Sequence, residues 1–217
     1  MIITAIITVI AAYLIGSINF AVIFSNAFLK QDVRSMGSGN AGTTNVMRNG
    51  GFLPGALTFL CDALKGFVAS YMGYLIFGYL SHHTTWAMAI YGAYACGTAC
   101  MLGHVFPIFY QFKGGKGVAT SVGIFAVCCP IAIIIGLVVF AAVTLISKYV
   151  SLASIIATVT VVTLSIIFDD IYASAYVQAF FILVMGAIVI LKHSTNIKRL
   201  LNGTESKVGR KGKKNDG

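Results

Sequence analysis

Long apolar runs dominate the pattern of hydrophobic and polar positions along this chain. Two of them, residues 66–112 and 117–147, contain no Asp, Glu, Lys or Arg at all. Each is longer than the roughly 20 residues that an α-helix needs to cross the hydrocarbon core of a bilayer. The runs are continuous and lack the alternation of apolar and polar residues typical of a membrane β-barrel. The pattern therefore predicts an all-α, polytopic membrane protein.

The apolar runs divide into about seven predicted transmembrane helices. We divide the run at 117–147 because Pro130 lies in its middle, and a proline breaks a helix interior. The N-terminal run is too long for the apolar core of a signal peptide and has no basic segment before it, so it is predicted to be the first span. Residues 1–217 are expected to form a single transmembrane helical domain with a basic, disordered tail from about residue 200. The predicted spans are 2–26, 53–79, 86–109, 116–128, 131–146, 150–168 and 174–191.

Basic residues in the short loops predict the orientation of these spans, because such loops stay in the cytoplasm. The segments 30–51, 111–117 and 192–217 all carry Lys or Arg, whereas the turn at 80–85 does not. Seven spans put the N-terminus outside and the C-terminus in the cytoplasm, and they return Lys148 to the cytoplasmic side. A single tilted helix over 117–147 is the alternative, and it would put Lys148 outside.

Composition supports a membrane protein with a basic C-terminal segment. Hydrophobic residues make up 58% of the chain and charged residues 10%, against about 25% charged residues in soluble domains. The net charge is +9, and eight of the 15 Lys and Arg residues lie from Lys192 onward. Anchoring on the cytoplasmic side explains this segment, and attraction of anionic ligands or lipids is the alternative.

The cysteines predict no metal site. All five lie in apolar runs, where cysteine is mostly a small hydrophobic residue. Cys96, Cys100 and His104 share one helix face, but a structural zinc ion usually needs four ligands. We therefore expect neither a metal nor another cofactor.

A polar, glycine-rich segment, "GSGNAGTTNVMRNGG" at residues 37–51, differs sharply from the apolar runs. Successive backbone N–H groups in such turns form nests that bind anions, and a guanidinium offers a fork that fits phosphate. A flexible connector is the alternative, but a connector needs neither amide side chains nor an arginine. We predict a phosphate-binding loop with donors from Ser38, Asn40, Gly42, Thr43, Thr44, Asn45 and Arg48.

A second candidate phosphate site is the "KGGKG" motif, with Lys113, Gly114, Gly115 and Lys116. The glycines let the backbone approach a ligand closely, and the two ammonium groups supply positive charge. Membrane anchoring is the alternative for these lysines, although glycine weakens the helix end that an anchor should stabilise.

Ionisable side chains also lie within or just beyond the apolar runs. Asp62 and Lys65 are three residues apart on one predicted helix face, which favours an ion pair or, alternatively, a role near the site. His104 and His193 could hydrogen-bond a ligand or move a proton near neutral pH. The sequence shows no nucleophile paired with a base. An enzyme with these residues would therefore act by positioning its substrates and by stabilising the charge of the transition state. The segment after His193 adds Asn196, Arg199 and Glu205.

These motifs, in this order, resemble those of the bacterial integral-membrane glycerol-3-phosphate acyltransferases that use acyl-phosphate as donor. The resemblance covers nearly the whole chain. It rests on "GSGNAGTTNVMR" (37–48), "DALKG" (62–66), "GHVFPIFYQFKGGKGVAT" (103–120), "KYVSLASI" (148–155) and "HSTNIKRLLNGTE" (193–205).

The resemblance implies transfer of a fatty acyl group to the sn-1 hydroxyl of glycerol 3-phosphate, which gives lysophosphatidic acid for phospholipid synthesis. It implies a metal-free, seven-helix fold and catalysis without a dedicated side-chain base. The expected partners are glycerol 3-phosphate, acyl-phosphate and the bilayer, with no nucleic acid and no obligate protein partner. The expected location is the bacterial inner or plasma membrane, with the active site facing the cytoplasm.

The resemblance also implies roles for individual residues. The catalytic candidates are Ser38, Asn40, Thr44, Asn45, Arg48, His104, Lys116, His193, Asn196 and Glu205. The candidates for binding substrate phosphate are Gly42, Lys65, Lys113, Gly114, Gly115 and Ser154.

Two other functions fit a polar site inside a helical bundle. A transporter or channel for a phosphorylated solute is the main alternative, and a non-catalytic lipid-binding subunit is the second. The motifs cluster on one predicted membrane face and the two halves show no inverted repeat, which disfavours a transporter.

Overall fold

The computed structural model describes residues 1–81, 86–169 and 175–208, and the chain is mostly helical over these ranges. Two short 3₁₀ helices, Val33–Ser35 and Ile108–Tyr110, lie between longer elements. The α-helices are α1 (Ile2–Ser17), α2 (Phe20–Leu29), α3 (Thr43–Gly50), α4 (Phe52–Leu80), α5 (Trp86–Val105), α6 (Val118–Cys128), α7 (Pro130–Ser147), α8 (Val150–Asp169), α9 (Ala175–Lys192) and α10 (Ser194–Leu201).

The described residues confirm the predicted all-α membrane fold. Five segments are long and apolar enough to cross a bilayer, and a sixth is added if α9 and α10, which meet at 52°, form one span. Helix α6 has only 11 residues, a length of about 16 Å, which is roughly half of a 30 Å hydrocarbon core. The count of seven spans and the orientation of the termini stay predictions.

The predicted interruption in the run at 117–147 is confirmed. Helix α6 ends at Cys128 and Pro130 begins α7, a position where its missing N–H costs no helical hydrogen bond. The N–H of Val208 donates to the Lys148 carbonyl at 2.8 Å, and the Lys116 ammonium donates to Asn196. Because the C-terminal segment contacts both Lys116 and Lys148, both ends of α6–α7 lie at the same end of the bundle.

The first predicted span is interrupted, which the apolar pattern did not indicate. Helix α1 ends at Ser17, Ile18 is extended, and the Asn19 side chain caps α2 by accepting the Val22 N–H at 3.3 Å. The carbonyl that the break leaves free, that of Ile18, accepts a hydrogen bond from the Lys65 ammonium at 2.7 Å. A side chain 47 positions away therefore stabilises the break.

Two predicted irregular segments contain ordered structure. The loop at 30–51 includes the eight-residue helix α3, which threonine, asparagine and glycine gave little reason to expect because they are poor helix formers. Residues 203–208, assigned to a disordered tail, instead run back over the bundle, where Ser206 accepts from Arg48 at 3.1 Å and Val208 donates to Lys148. The rest of the tail, 209–217, lies outside the described residues.

Small residues let the central helices approach closely. A Cβ atom on Gly66 of α4 would overlap the Thr120 carbonyl of α6, and a Cβ atom on Gly123 would overlap the Ala63 carbonyl. Gly16 of α1 meets the Cys100 carbonyl of α5 in the same way. Close backbone approach of this kind stabilises membrane helix packing, and it makes α1, α4, α5 and α6 a firm base for the polar loops at one end.

Candidate active site

Asn45 builds the first glycine-rich loop. It is 2% exposed, and its amide nitrogen donates to the carbonyls of Val33, Met36 and Asn40 at 2.9–3.1 Å. Its amide oxygen accepts the backbone N–H of Ser38 at 3.2 Å. With its amide hydrogen bonds made inside the loop, Asn45 fixes the curvature of the segment that leads into α3.

The start and one face of α3 can receive an anion. The first N–H groups of a helix have no partner within it, and they carry partial positive charge. Gly42 is the N-cap residue of α3, and Arg48 lies in its last turn. Thr44 and Arg48 are four residues apart and share one face.

The second loop, Lys113–Gly117, lies directly against the first. The Gly115 N–H donates to the His104 carbonyl at 3.1 Å. A Cβ atom on Gly115 would overlap the His104 ring and would lie 2.7 Å from the Ala41 carbonyl. Only glycine fits here, and the close approach brings the two predicted phosphate loops together.

A hydrogen-bonded network connects the second loop with the C-terminal segment. The Lys116 ammonium donates to the amide oxygen of Asn196, and the Asn196 amide nitrogen donates to Glu205 Oε1 at 2.7 Å. Ser151 donates to the same carboxylate oxygen at 2.7 Å. Arg199 Nε donates to Glu205 Oε2, also at 2.7 Å. Glu205 therefore orients Asn196, which in turn orients the ammonium group of Lys116.

The same C-terminal segment contacts the first loop. Arg48 donates to the Ser206 carbonyl at 3.1 Å, and its side chain is otherwise exposed. Ser206 thus contacts Arg48, and its neighbour Glu205 belongs to the Lys116 network. Two cations from motifs 68 residues apart in sequence (116 minus 48) converge at this end of the bundle.

The network sets the charges at the site. Burial lowers the pKa of Lys116 to about 8; Glu205 opposes this effect, and Arg199 and Arg48 add to it. Burial alone would raise the pKa of Glu205, but the hydrogen bonds from Arg199, Ser151 and Asn196 outweigh burial and hold that pKa below its usual value. At neutral pH the site therefore holds a carboxylate and an ammonium group that can lose its proton in mildly alkaline solution.

His193 is held as a neutral ring. It is 2% exposed, and Nδ1 donates to the Val189 carbonyl at 2.8 Å. Burial lowers the pKa of His193 to about 4, with a further contribution from Lys116. With its proton on Nδ1, the neutral ring presents an unprotonated Nε2, which can accept a hydrogen bond.

The predicted site residues divide into those that the structure connects and those that it places apart. Arg48, Lys116, Asn196 and Glu205 belong to the connected set through the contacts above. Ser154 donates to the Val150 carbonyl of its own helix at 2.9 Å, and Lys65 is paired with Asp62 in the bundle interior. Ser38, Asn40 and Lys113 lie on the loops, and Thr44 lies in the first turn of α3; all four are exposed or half-buried. His104 is buried near the end of α5, with Nδ1 at 3.4 Å from Asp62 Oδ1.

Ser151 is a network residue that sequence reasoning missed. It is 6% exposed and donates to Glu205. The signal was present, since Ser151 and Ser154 are three residues apart in "KYVSLASI" and therefore share a helix face. Nothing in the sequence, however, connects position 151 with position 205.

An apolar cavity begins beside the network. It has a volume of about 50 Å³ and lies between α6, α7, α8 and α9. Val118, Ser121 and Ser154 line its end nearest the site, and Val161 and Met185 line its deeper part. A charged site with an apolar cavity beside it suits an amphiphilic ligand.

Comparison with known proteins gives a consistent result. The model of the family described as glycerol-3-phosphate acyltransferase matches residues 6–203. A glycerol-3-phosphate acyltransferase of Finegoldia magna is 40% identical over 201 residues, which cover 93% of this chain and 94% of that protein. One from Thermoanaerobacter sp. (strain X514) is 44% identical over 208 residues, which cover 95% and 97%.

Two solved structures of glycerol 3-phosphate acyltransferases have the same fold as this chain. The crystal structure of an integral membrane glycerol 3-phosphate acyltransferase, in its glycerol 3-phosphate form, superposes with a TM-score of 0.82. It is 36% identical and covers 95% of this chain and 96% of its own. A lysophosphatidic acid form superposes with a TM-score of 0.78 over the same shares.

Proposed function

Because the chain belongs to the glycerol-3-phosphate acyltransferase family, we propose that it transfers a fatty acyl group from acyl-phosphate to the sn-1 hydroxyl of glycerol 3-phosphate. The products are lysophosphatidic acid and inorganic phosphate. The observation that carries the proposal is the convergence of Arg48 and the Lys116–Asn196–Glu205 network beside an apolar cavity. Two phosphate-bearing substrates, one with a fatty chain, require this combination of positive charge and apolar space.

The two loops supply the phosphate contacts. Arg48 binds one phosphate together with the N–H groups at the start of α3 and the side chains of Ser38 and Thr44. Lys116 and the backbone N–H of Gly114 bind the other, while the Gly115 N–H donates to the His104 carbonyl and holds the turn in place. Charge-assisted hydrogen bonds of this kind are about twice as strong as neutral ones.

Acyl transfer needs no strong nucleophile, because acyl-phosphate is already activated. The sn-1 hydroxyl oxygen attacks the carbonyl carbon, a new C–O ester bond forms, and the bond from that carbon to the phosphate oxygen breaks. The leaving phosphate takes the hydroxyl proton. His193 Nε2 accepts a hydrogen bond from the neighbouring sn-2 hydroxyl and so orients the substrate, while the sn-1 proton stays directed at the leaving phosphate; a ring with a pKa of about 4 takes no proton itself. Lys116 stabilises the charge that develops on the departing phosphate.

The acyl chain enters the cavity beside Ser154. A volume of about 50 Å³ is well below the roughly 300–1000 Å³ of typical ligand pockets. Most of a long chain must therefore lie along the lipid-facing side of α7 and α8, with only part of it enclosed.

Filling the cavity should impair long-chain donors. We expect Ala157→Phe to raise the KM for a 16-carbon acyl-phosphate by about tenfold, because a phenyl ring takes the space of the enclosed part of the chain. Val68→Phe is the matched control, since Val68 is a 45% exposed residue of α4 that neither lines the cavity nor lies on α7 or α8. Equal KM values in the two variants would contradict this assignment of the chain.

Direct assay of the purified protein tests the function. Detergent-solubilised protein mixed with acyl-phosphate and glycerol 3-phosphate should form lysophosphatidic acid and release phosphate in equal amounts. The transporter alternative predicts no product in detergent and uptake of the phosphorylated solute into sealed vesicles. Absence of lysophosphatidic acid under these conditions would refute the proposal.

The pKa of Lys116 predicts how activity depends on pH. The ammonium form exists below about pH 8 and is lost above it, so kcat/KM, which reports the free enzyme, should fall as pH rises through 8. Lys116→Arg should move this fall to higher pH, since arginine keeps its charge. Both proteins are assayed with the same substrates, so effects of substrate ionisation cancel. A decline at the same pH in both would show that Lys116 is not responsible.

The site is proposed to face the cytoplasm from the inner or plasma membrane. Lys113 and Lys148 lie at the same end of the bundle as the network, and positively charged loops stay inside. In a cysteine-free background, Lys113→Cys and Lys148→Cys should react with an impermeant thiol reagent only in inverted vesicles, whereas Ser81→Cys should react in intact cells. Labelling of position 148 from outside would refute the seven-span topology.

A further inference from the structure

A second cluster of ionisable side chains lies in the bundle interior, outside the Lys116 network. Asp62 is 1% exposed, Lys65 4% and His104 5%. The Lys65 ammonium lies 2.8 Å from Asp62 Oδ1. His104 Nδ1 lies 3.4 Å from the same oxygen. The cluster joins α4, which carries Asp62 and Lys65, to α5, which ends just beyond His104.

Stability alone explains this cluster poorly. Ionisable side chains inside a membrane protein are costly to bury. Replacing a buried ion pair with apolar residues of similar volume is often neutral or stabilising. The cluster is better explained by what its two ends hold in position.

At one end of the cluster, Lys65 stabilises the break between α1 and α2. The Lys65 ammonium donates to the Ile18 carbonyl at 2.7 Å and lies 5.6 Å from the centre of the Phe20 ring. Since Ile18 is the extended C-cap residue of α1, Lys65 satisfies a carbonyl at the helix end that the α1–α2 break leaves without a helical partner.

The other end holds the second phosphate loop. The His104 carbonyl accepts the Gly115 N–H at 3.1 Å, and Cβ atoms added to Gly114 or Gly115 would overlap the His104 carbonyl oxygen or ring. The Nδ1 edge of the His104 ring faces Asp62, and its Nε2 edge faces Gly115. The turn that precedes Lys116 is therefore shaped directly on His104.

We propose that Asp62, Lys65 and His104 are positioning residues for the proposed acyl transfer. The ion pair fixes the orientation of the His104 ring, and the ring fixes the Gly114–Gly115 turn, so that the Gly114 N–H faces one substrate phosphate. Lys116 is oriented separately, by Asn196 and Glu205. His104 acts through the loop and does not exchange a proton with substrate. This inference rests on the proposed function and adds to it the residues that pre-form the Lys113–Gly117 loop.

The test replaces the ion pair with neutral side chains of similar shape. The variant Asp62→Asn/Lys65→Gln, whose glutamine amide can still donate toward the Ile18 carbonyl, should keep its melting temperature within about 3 °C of the unmodified protein, a shift worth about 1 kcal/mol at this size. We expect the KM for one phosphate substrate to rise about tenfold or more, because small displacements of binding groups have large effects, while kcat changes little. The affected substrate should be the one whose KM also rises in Lys113→Ala.

Two further variants and a control keep the test decisive if the double variant fails to fold. His104→Ala should raise the same KM, and His104→Gln should recover part of the loss because its amide can still donate toward Asp62. Gln178→Leu is the control, since Gln178 is a buried polar residue on α9, 2% exposed and away from the site. It should leave both KM values unchanged.

Other outcomes would overturn the inference. Unchanged KM values with a lowered melting temperature would make the cluster purely structural. A large loss of kcat at constant KM in both His104 variants would make His104 a reacting group. All variants are compared with unmodified protein that forms lysophosphatidic acid. If the proposed function is wrong, the unmodified protein itself will be inactive, which distinguishes that failure from failure of this inference.

Discussion

The Lys116→Ala variant is expected to transfer acyl groups about 100- to 1000-fold more slowly than the unmodified chain, the range measured when a donor to a developing negative charge is removed. Lys116 lies in a half-buried position, and Asn196 and Glu205 orient its ammonium group. The alanine variant removes the charge but leaves the Glu205 contacts with Ser151 and Arg199. The loss should therefore fall on kcat rather than on folding.

Rates of phosphate release and melting temperatures of purified variants check this expectation. Lys198→Ala is the matched control, because Lys198 is an exposed lysine on α10 with no contact to the network. Lys113→Ala should lose less activity than Lys116→Ala, since the exposed Lys113 is more strongly screened by solvent. Retention of more than half of the activity in Lys116→Ala would remove this residue from the proposed mechanism.

The main helices could be predicted from the sequence because their cause is local. Apolar runs without charge identify membrane helices directly, and Pro130 indicated where α6 ends and α7 begins. The position of Lys148 beside the C-terminal segment also agrees with the prediction from charged loops. Each of these inferences needs only neighbouring residues and the thickness of a bilayer.

Features that depend on distant partners could not be predicted. Around Ile18 only Gly16, Ser17 and Asn19 interrupt an apolar run, and the break they permit is stabilised by Lys65 from another helix. Ser151 gains its role only because the C-terminal segment returns to place Glu205 beside it. The polar motifs identified the candidate site, but the contacts that connect them bridge 54 and 80 positions, between 151 and 205 and between 116 and 196.

Asn45 shows the difference between finding a motif and assigning its residues. Its place in a polar loop suggested a donor to phosphate. In the structure its amide bonds to the loop backbone, so its contribution to binding is the shape of the loop. Arg48, three residues later, remains exposed and free to turn toward a ligand.

Arg48→Ala is expected to raise the KM for one phosphate substrate by about 10- to 100-fold, since a hydrogen bond to a charged group contributes about 1.5–3 kcal/mol. In the described chain Arg48 makes one hydrogen bond, at 3.1 Å to the Ser206 carbonyl, which a bound phosphate can replace with a stronger, bidentate contact. Arg48→Lys should recover only part of the loss, because an ammonium lacks the planar fork. Initial rates measured while each substrate is varied in turn identify the affected phosphate.

If both KM values stay within about twofold of the unmodified protein while Lys198→Ala behaves identically, the glycine-rich loop does not bind phosphate through Arg48. A KM effect on the substrate that Lys113→Ala leaves unchanged would assign one phosphate to each loop.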